Sequence, residues 1–224
     1  MNMLAKGVYQ TNQDERMFSI GVQSINLTEF SQKGRVLDIG GGGEGIIGQL
    51  LGEKVIAIDP RSDELEEAAE GPLKIIMDAR ELKFLNKTFD GITSFFTLMY
   101  IEKQYHQEVF EEAYRVLKDE GEFIIWDVTI PQFPGGIKDI FLVPLEIELK
   151  NKKISTTYGV LWNQAEQDMK YYIKLGEKVG FEIISKEEVN QTYCIRFKKK
   201  ISNRYFARYY KFLDRDGWDK DYCL

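Results

Sequence analysis

The sequence predicts an α/β fold: a mostly parallel sheet with helices on both faces. Three observations carry this expectation. Short apolar segments alternate with segments of helical period. A glycine-rich turn directly follows the first apolar segment. Asp38, Asp59 and Asp78 fall at or just after the ends of the first three.

The bulk properties set limits. A chain of 224 residues with 43% hydrophobic content can bury one substantial core. No apolar run approaches the ~20 residues of a membrane span. The opening residues lack the ~7–15-residue apolar centre of a secretory signal. Cys194 and Cys223 make neither a metal-ligand spacing nor a disulfide framework. No metal site is therefore expected, and a reducing cytoplasm is the simplest setting. A net charge of −6 argues against a nucleic-acid partner, which calls for a local excess of Lys and Arg.

Residues 1–34 read as a helical lead-in. Asn12 stands where it can cap a helix through Glu15, Met17, Phe18, Ile20 and Val22, and Gly34 breaks the pattern. Residues 35–39 form a short apolar strand. Four consecutive glycines follow, Gly40 through Gly43, then Glu44 and Gly45. Ile46, Ile47, Leu50 and Leu51 keep helical spacing, and Gly52 ends that helix. Residues 54–58 are the second strand, 62–70 a helix, 73–77 the third strand and 89–96 the fourth. Residues 104–117 are a helix with Val109, Phe110, Ala113, Val116 and Leu117 on one face. Residues 121–126 are the fifth strand.

The pattern changes after Pro131. Residues 141–149 and 154–161 read as a hairpin. Residues 164–179 form a helix closed by Gly180. Residues 181–185 and 192–198 are two last strands with a short polar link, hence antiparallel. The expected organisation is a lead-in over 1–34, a domain over 35–199 with a hairpin insertion near 141–161, and a C-terminal helical tail over 200–224.

Ligands of open α/β sheets bind beyond the carboxyl ends of the strands. Glycines there let a ligand approach the backbone. Gly40-x-Gly42-x-x-Gly45 also matches a dinucleotide fingerprint, with Asp59 at about the distance of an NAD ribose contact. Asp38, two residues before the first glycine, argues against this. Its charge repels a pyrophosphate and suits a cationic amino-acid cofactor.

Several stretches now carry a resemblance. They are Val36-Leu-Asp-Ile-Gly-Gly-Gly-Gly-Glu-Gly45, Val55-Ile-Ala-Ile-Asp59, Met77-Asp-Ala-Arg-Glu-Leu82, Phe89-Asp-Gly-Ile-Thr93, Glu111-Glu-Ala-Tyr-Arg-Val-Leu-Lys-Asp-Glu-Gly121 and Gly180-Phe-Glu-Ile183. In this order and spacing the chain resembles the class I S-adenosylmethionine-dependent methyltransferases, near the small-molecule and quinone-type enzymes. The resemblance implies a Rossmann-like, mostly parallel seven-stranded sheet with an antiparallel last strand. It implies S-adenosylmethionine as cofactor and S-adenosylhomocysteine as product. It also implies roles. Asp38 with Gly40, Gly42, Gly43 and Gly45 surrounds the aminocarboxypropyl group. Asp59, with Pro60, holds the ribose. Asp78 and Ala79 read the adenine. Phe95 and Phe96, with Thr97, close over the cofactor. Two departures stand out. Glu44 occupies the place of the usual third glycine, which Gly45 supplies by a one-residue shift. Met99 and Tyr100 stand where relatives often carry histidines.

Methyl transfer needs alignment in a dry pocket more than a dedicated nucleophile. A base helps only an acceptor that must lose a proton. Candidate catalytic groups are Asp127 at the end of the fifth strand, Tyr100 and His106. His106 is the sole histidine and sits four residues before Phe110, which reads as a packing position. Tyr100, Trp126, Tyr158 and Trp162 are candidates to line the acceptor pocket. The hairpin is expected to act as a lid that excludes water. The aromatic and basic tail from Ser202 to Leu213 could stack on RNA, but Asp214, Asp216, Asp219 and Asp221 offset its charge. Packing on the domain or on a second subunit accounts for it better, which leaves a homo-oligomer open. The expected function is methyl transfer to a small-molecule acceptor. The alternatives are a macromolecular acceptor, protein or RNA, and a non-catalytic cofactor-binding protein.

Overall fold

The computed structural model describes residues 15–201. Asn12 and the expected tail helix lie outside the described residues. In chain order the strands are β1 (Met17–Ser19), β2 (Gln23–Asn26), β3 (Val36–Ile39), β4 (Val55–Asp59), β5 (Leu73–Ile76), β6 (Phe89–Phe95), β7 (Leu117–Val128), β8 (Ile140–Leu149), β9 (Lys152–Leu161), β10 (Phe181–Val189) and β11 (Thr192–Lys199). The helices are α1 (Ile46–Leu51), α2 (Ser62–Glu67), α3 (His106–Val116) and α4 (Met169–Val179).

Seven strands form the main sheet in the order β10-β11-β7-β6-β3-β4-β5. The pairs from β5 to β7 are parallel, and β11 is antiparallel to both of its neighbours. The reason is local: only a tight link, with Asn190 at φ 54°, separates β10 from β11. Such a link permits a hairpin and nothing longer. Each central strand is buried on both sides, as β3 shows with four buried residues in a row. This is what apolar strands without alternation require.

One face of the sheet is covered by α3 and α4. Val109, Phe110, Ala113 and Val116 are fully buried there, with Tyr172 stacked on Phe110 at 5.9 Å between ring centres. Helix α4 begins at Met169, later than its apolar pattern suggests, because Asp168 accepts the Tyr171 N–H at 2.6 Å and caps it. Residues 162–164 form a 3₁₀ turn instead.

The other face carries a second, four-stranded sheet. The expected hairpin is its centre: β8 and β9 pair from Ile140↔Leu161 to Leu149↔Lys152. Strands β1 and β2 lie parallel along the other edge of β8, at its residues 140–142 and 145–148 respectively. Pro144 falls in the gap between them, where no N–H is needed. The helical lead-in is thus corrected over its described part. Gln23–Asn26 alternates buried and exposed, a period of two, and the partner that makes it a strand is β8, far along the chain.

Trp162 anchors this sheet. Its ring lies 4.7 Å from Phe18, 5.0 Å from Phe141 and 5.7 Å from Phe133, and its Nε1–H donates to the Pro131 carbonyl at 2.7 Å. Trp162→Ala should therefore lower unfolding stability by about 3–5 kcal/mol in urea titrations. A loss under ~1 kcal/mol would show that the ring is not the anchor.

Candidate active site

The site begins at the carboxyl end of β3, between β4 and β6. Asp38 sits opposite Ala57 and Thr93 in the two registers. It is 2% exposed, and Thr93 Oγ1 donates to its Oδ1 at 2.7 Å. Burial pushes its carboxyl up to about 7. The Thr93 hydrogen bond opposes this, and the charge of Asp59 adds to it. Asp59 is half-buried at the end of β4. It is also raised by burial, and its Oδ1 accepts the Arg61 N–H at 2.9 Å. Two carboxylates thus repel each other across the glycine turn. A cationic ligand group relieves this repulsion, whereas a pyrophosphate adds to it.

The turn itself is folded tightly. The N–H groups of Gly40 and Gly41 donate to the Ile58 carbonyl at 2.9 and 3.1 Å, and that of Gly43 to the Glu64 carbonyl at 2.8 Å. A Cβ on Gly42 would lie 2.6 Å from Glu64 Cβ and 3.2 Å from Asp59 Oδ2, so only glycine fits. Gly43 and Gly45 take φ of 59° and 53°, and Glu44 between them is not among the positive-φ residues. This is why a side chain is accepted at 44.

That side chain reaches across to the second sheet. Thr156 Oγ1 donates to Glu44 Oε1 at 2.6 Å, and the Tyr158 hydroxyl donates to Oε2 at 3.1 Å. The Tyr158 ring is 5.8 Å from Phe96, which is 5.0 Å from Phe95. Phe96 holds φ 50°, a strained value for an aromatic residue. The Tyr100 hydroxyl faces the backbone of Gly159, and burial keeps both tyrosines protonated far above their ordinary range. Glu44, Phe96, Tyr100 and Tyr158 therefore form one wall over the turn.

The other expected residues have partners of their own. Asp78, after β5, is held by Arg80 through Nε at 2.9 and 3.0 Å and through the Arg80 N–H at 2.8 Å, which lowers its carboxyl below the usual range. Ala79 beside it is buried. Trp126 lies on the face shared with Phe30 and Phe95, in a groove of about 360 Å³ with Ile124, Cys194 and Arg196. Trp162 is the anchor described above. Asp127 is fully enclosed. Its Oδ1 accepts from Gln167 Nε2 at 2.7 Å and from the Val128 N–H at 2.9 Å, and Tyr172 donates to Gln167 Oε1 at 2.6 Å. Burial pushes Asp127 to about 7 as well.

His106 packs between the helices. Its Nε2 faces the carbonyls of Leu98 and Ile101 at 3.1 and 2.9 Å, so Nε2 carries the proton, and Nδ1 accepts from Tyr171 at 3.1 Å. Burial lowers its pKa and keeps it neutral. His106 is not brought to the wall over the turn, whereas Asp127 lies behind it, held by the N–H groups of Leu98 and Met99 and with its charge acting on Tyr100. Sequence reasoning missed Thr93 and Thr156. Their roles arise from strand register and sheet docking, and no local pattern announces either.

The raised carboxyl of Asp38 gives a stability test. Its folded value, about 7, lies above the ordinary 3.8. Its contribution to stability is therefore complete below pH ~4 and lost as pH rises through about 7. Asp38→Asn removes that loss. The unliganded variant should gain Tm over wild type at pH 8, keep roughly a third of the gain at pH 5 and lose nearly all of it below pH ~4. An equal difference at every pH would show that Asp38 ionises without penalty.

The geometry can be set beside known proteins. Residues 37–125 match a family model described as a methyltransferase domain. No curated protein matches the sequence. Among solved structures, a protein of Pyrococcus horikoshii is 21% identical, with 75% of this chain and 84% of that one covered and a TM-score of 0.57. One of the S-adenosylmethionine-dependent methyltransferases of Methanosarcina mazei is 16% identical, covering 77% and 95%, with a TM-score of 0.56. The cyclase SpnF is 13% identical, covering 78% of each chain, with a TM-score of 0.57. These identities carry the fold alone, and the family match adds the domain. Residues 37–125 thus resemble a methyltransferase domain, and the chain shares its fold with S-adenosylmethionine-dependent methyltransferases of known structure.

Proposed function

We propose that the chain binds S-adenosylmethionine at the glycine turn and transfers its methyl group to a small-molecule acceptor. The observation that carries this reading is the pair of carboxylates, Asp38 and Asp59, facing one glycine turn inside a methyltransferase domain. When bound, the cofactor supplies a methyl group on a sulfonium, already activated for displacement.

The residues have separate tasks. Asp38 holds the ammonium of the aminocarboxypropyl group, and the backbone of Gly40, Gly42, Gly43 and Gly45 surrounds that group. Asp59, next to Pro60, accepts from the ribose hydroxyls. Asp78 and Ala79 meet the adenine edge. Phe95 and Phe96 shield the reacting end from water, which strengthens every charge interaction there. Tyr100 and Tyr158 remain protonated, so they orient the acceptor by hydrogen bonds and do not remove its proton. With His106 enclosed between the helices and both tyrosines protonated, the reading favours an acceptor atom that attacks the methyl carbon through a lone pair, releases S-adenosylhomocysteine as the thioether and loses its proton to water afterwards. The second sheet closing directly on the turn favours a small acceptor. A macromolecular acceptor draws its support from the tail, outside the described residues. The cyclase among the structural neighbours shows that this fold hosts other reactions, so transfer must be measured directly.

Calorimetry with S-adenosylhomocysteine should give a saturable site in wild type. In Asp59→Ala affinity should fall tenfold or more, which is about 1.5–3 kcal/mol per lost charged hydrogen bond. Unchanged affinity would remove Asp59 from the ribose site. Labelled methyl transfer into pooled small metabolites should exceed transfer into protein or RNA, and the reverse result would replace the acceptor class.

A further inference from the structure

The contact between Glu44 and β9 goes beyond cofactor binding. Glu44 stands on the turn itself, flanked by two glycines that carry the positive φ. Both of its carboxylate oxygens accept hydroxyls from one strand of the second sheet, Thr156 and Tyr158, two residues apart on the same face. The backbone on the turn side is held as well. Gln49 Nε2 donates to the Glu44 carbonyl, and Gln49 N–H donates to the Gly45 carbonyl at 2.9 Å. The sheet side is held through the Trp162 anchor and the full register of β8 with β9. Two stiff bodies that pack on a shared apolar core are therefore tied to each other at the turn by one carboxylate.

We propose that Glu44 is a positioning residue that fastens the acceptor wall to the cofactor turn, so that order at the turn is transmitted to β9. This rests on the reading of the turn as the cofactor site. Charged hydrogen bonds between partly buried partners are stronger than neutral ones and demand fixed geometry. Through Tyr158 the contact sets the distance of the Phe96 ring and of Tyr100 from the turn. A looser Glu44 would leave the cofactor's contacts in place but let the wall drift. Alignment would then suffer more than binding.

Linkage fixes the sizes. Whatever factor the cofactor adds to docking of β9, docking must add the same factor to cofactor affinity. The test uses full-length protein, hydrogen exchange at peptides covering residues 154–158 and 40–45, and calorimetry with S-adenosylhomocysteine. Glu44→Gly places the superfamily's usual residue at this position, so the turn should still fold. Without ligand, exchange at 154–158 should rise tenfold or more in Glu44→Gly, and less in Tyr158→Phe, which keeps the Thr156 bond. In wild type the ligand should slow exchange at 154–158 by about threefold. In Glu44→Gly that slowing should vanish while residues 40–45 are still protected, and ligand affinity should fall by the same threefold. Unchanged exchange at 154–158 in unliganded Glu44→Gly would overturn the fastening. Equal ligand-induced slowing in both proteins would overturn the transmission. Failure of wild type to bind the ligand would overturn the cofactor reading and the transmission with it, while the unliganded comparison would still decide the fastening.

Discussion

The Asp38 carboxylate is buried at the carboxyl end of β3, an interior strand of the main sheet, and much of the site follows from that burial. A lone charge there would be costly, so Thr93 donates to it from the next strand. The register between β3 and β6 places that hydroxyl. Ala57 on the other side is small, which lets the chain turn tightly over β4. The glycines then carry the backbone past Asp38 and against α2, within reach of Asp59. Even so burial pushes its pKa up to about 7.

The second sheet gives the turn its other boundary. Its strands come from two distant parts of the chain, and β8 holds them together by carrying β9 on one edge and β1 and β2 on the other. This sheet meets the turn through Glu44, which differs from the glycine usual in the superfamily. The departure that weakens the motif as a sequence pattern thus has a structural use. Tyr100 and Tyr158 come together because β9 docks there, and Phe96 accepts a strained backbone in the same wall.

The main sheet was legible because its strands are continuous apolar runs, and its turns carry glycines and carboxylates. Burial on both faces leaves that signature in any parallel sheet. The lead-in was not legible. Met17, Phe18, Ile20 and Val22 fit a helical stripe, but their segment becomes strand by pairing with residues more than a hundred positions later. The positions of Asp38 and Asp59 at strand ends beside the glycines were readable because each falls at the close of a short apolar run. Asp127 and His106 were harder. Whether a strand-end carboxylate faces a cleft or a helix depends on Gln167, Tyr171 and Tyr172, which reach them from α4 and the segment just before it. Trp162 is likewise taken up by Phe18, Phe133 and Phe141, because a large ring is placed by whichever apolar surface arrives against it.

The central claim is that Asp38 recognises the cationic end of the cofactor. The affinity of wild type for S-adenosylhomocysteine, measured by calorimetry from pH 5 to pH 9, tests it most directly. If the ligand's ammonium requires ionised Asp38, affinity should climb by up to tenfold per pH unit below about 7 and level off above it. The slope should disappear in Asp38→Asn. A flat profile in wild type, or the same slope in the variant, would contradict the account.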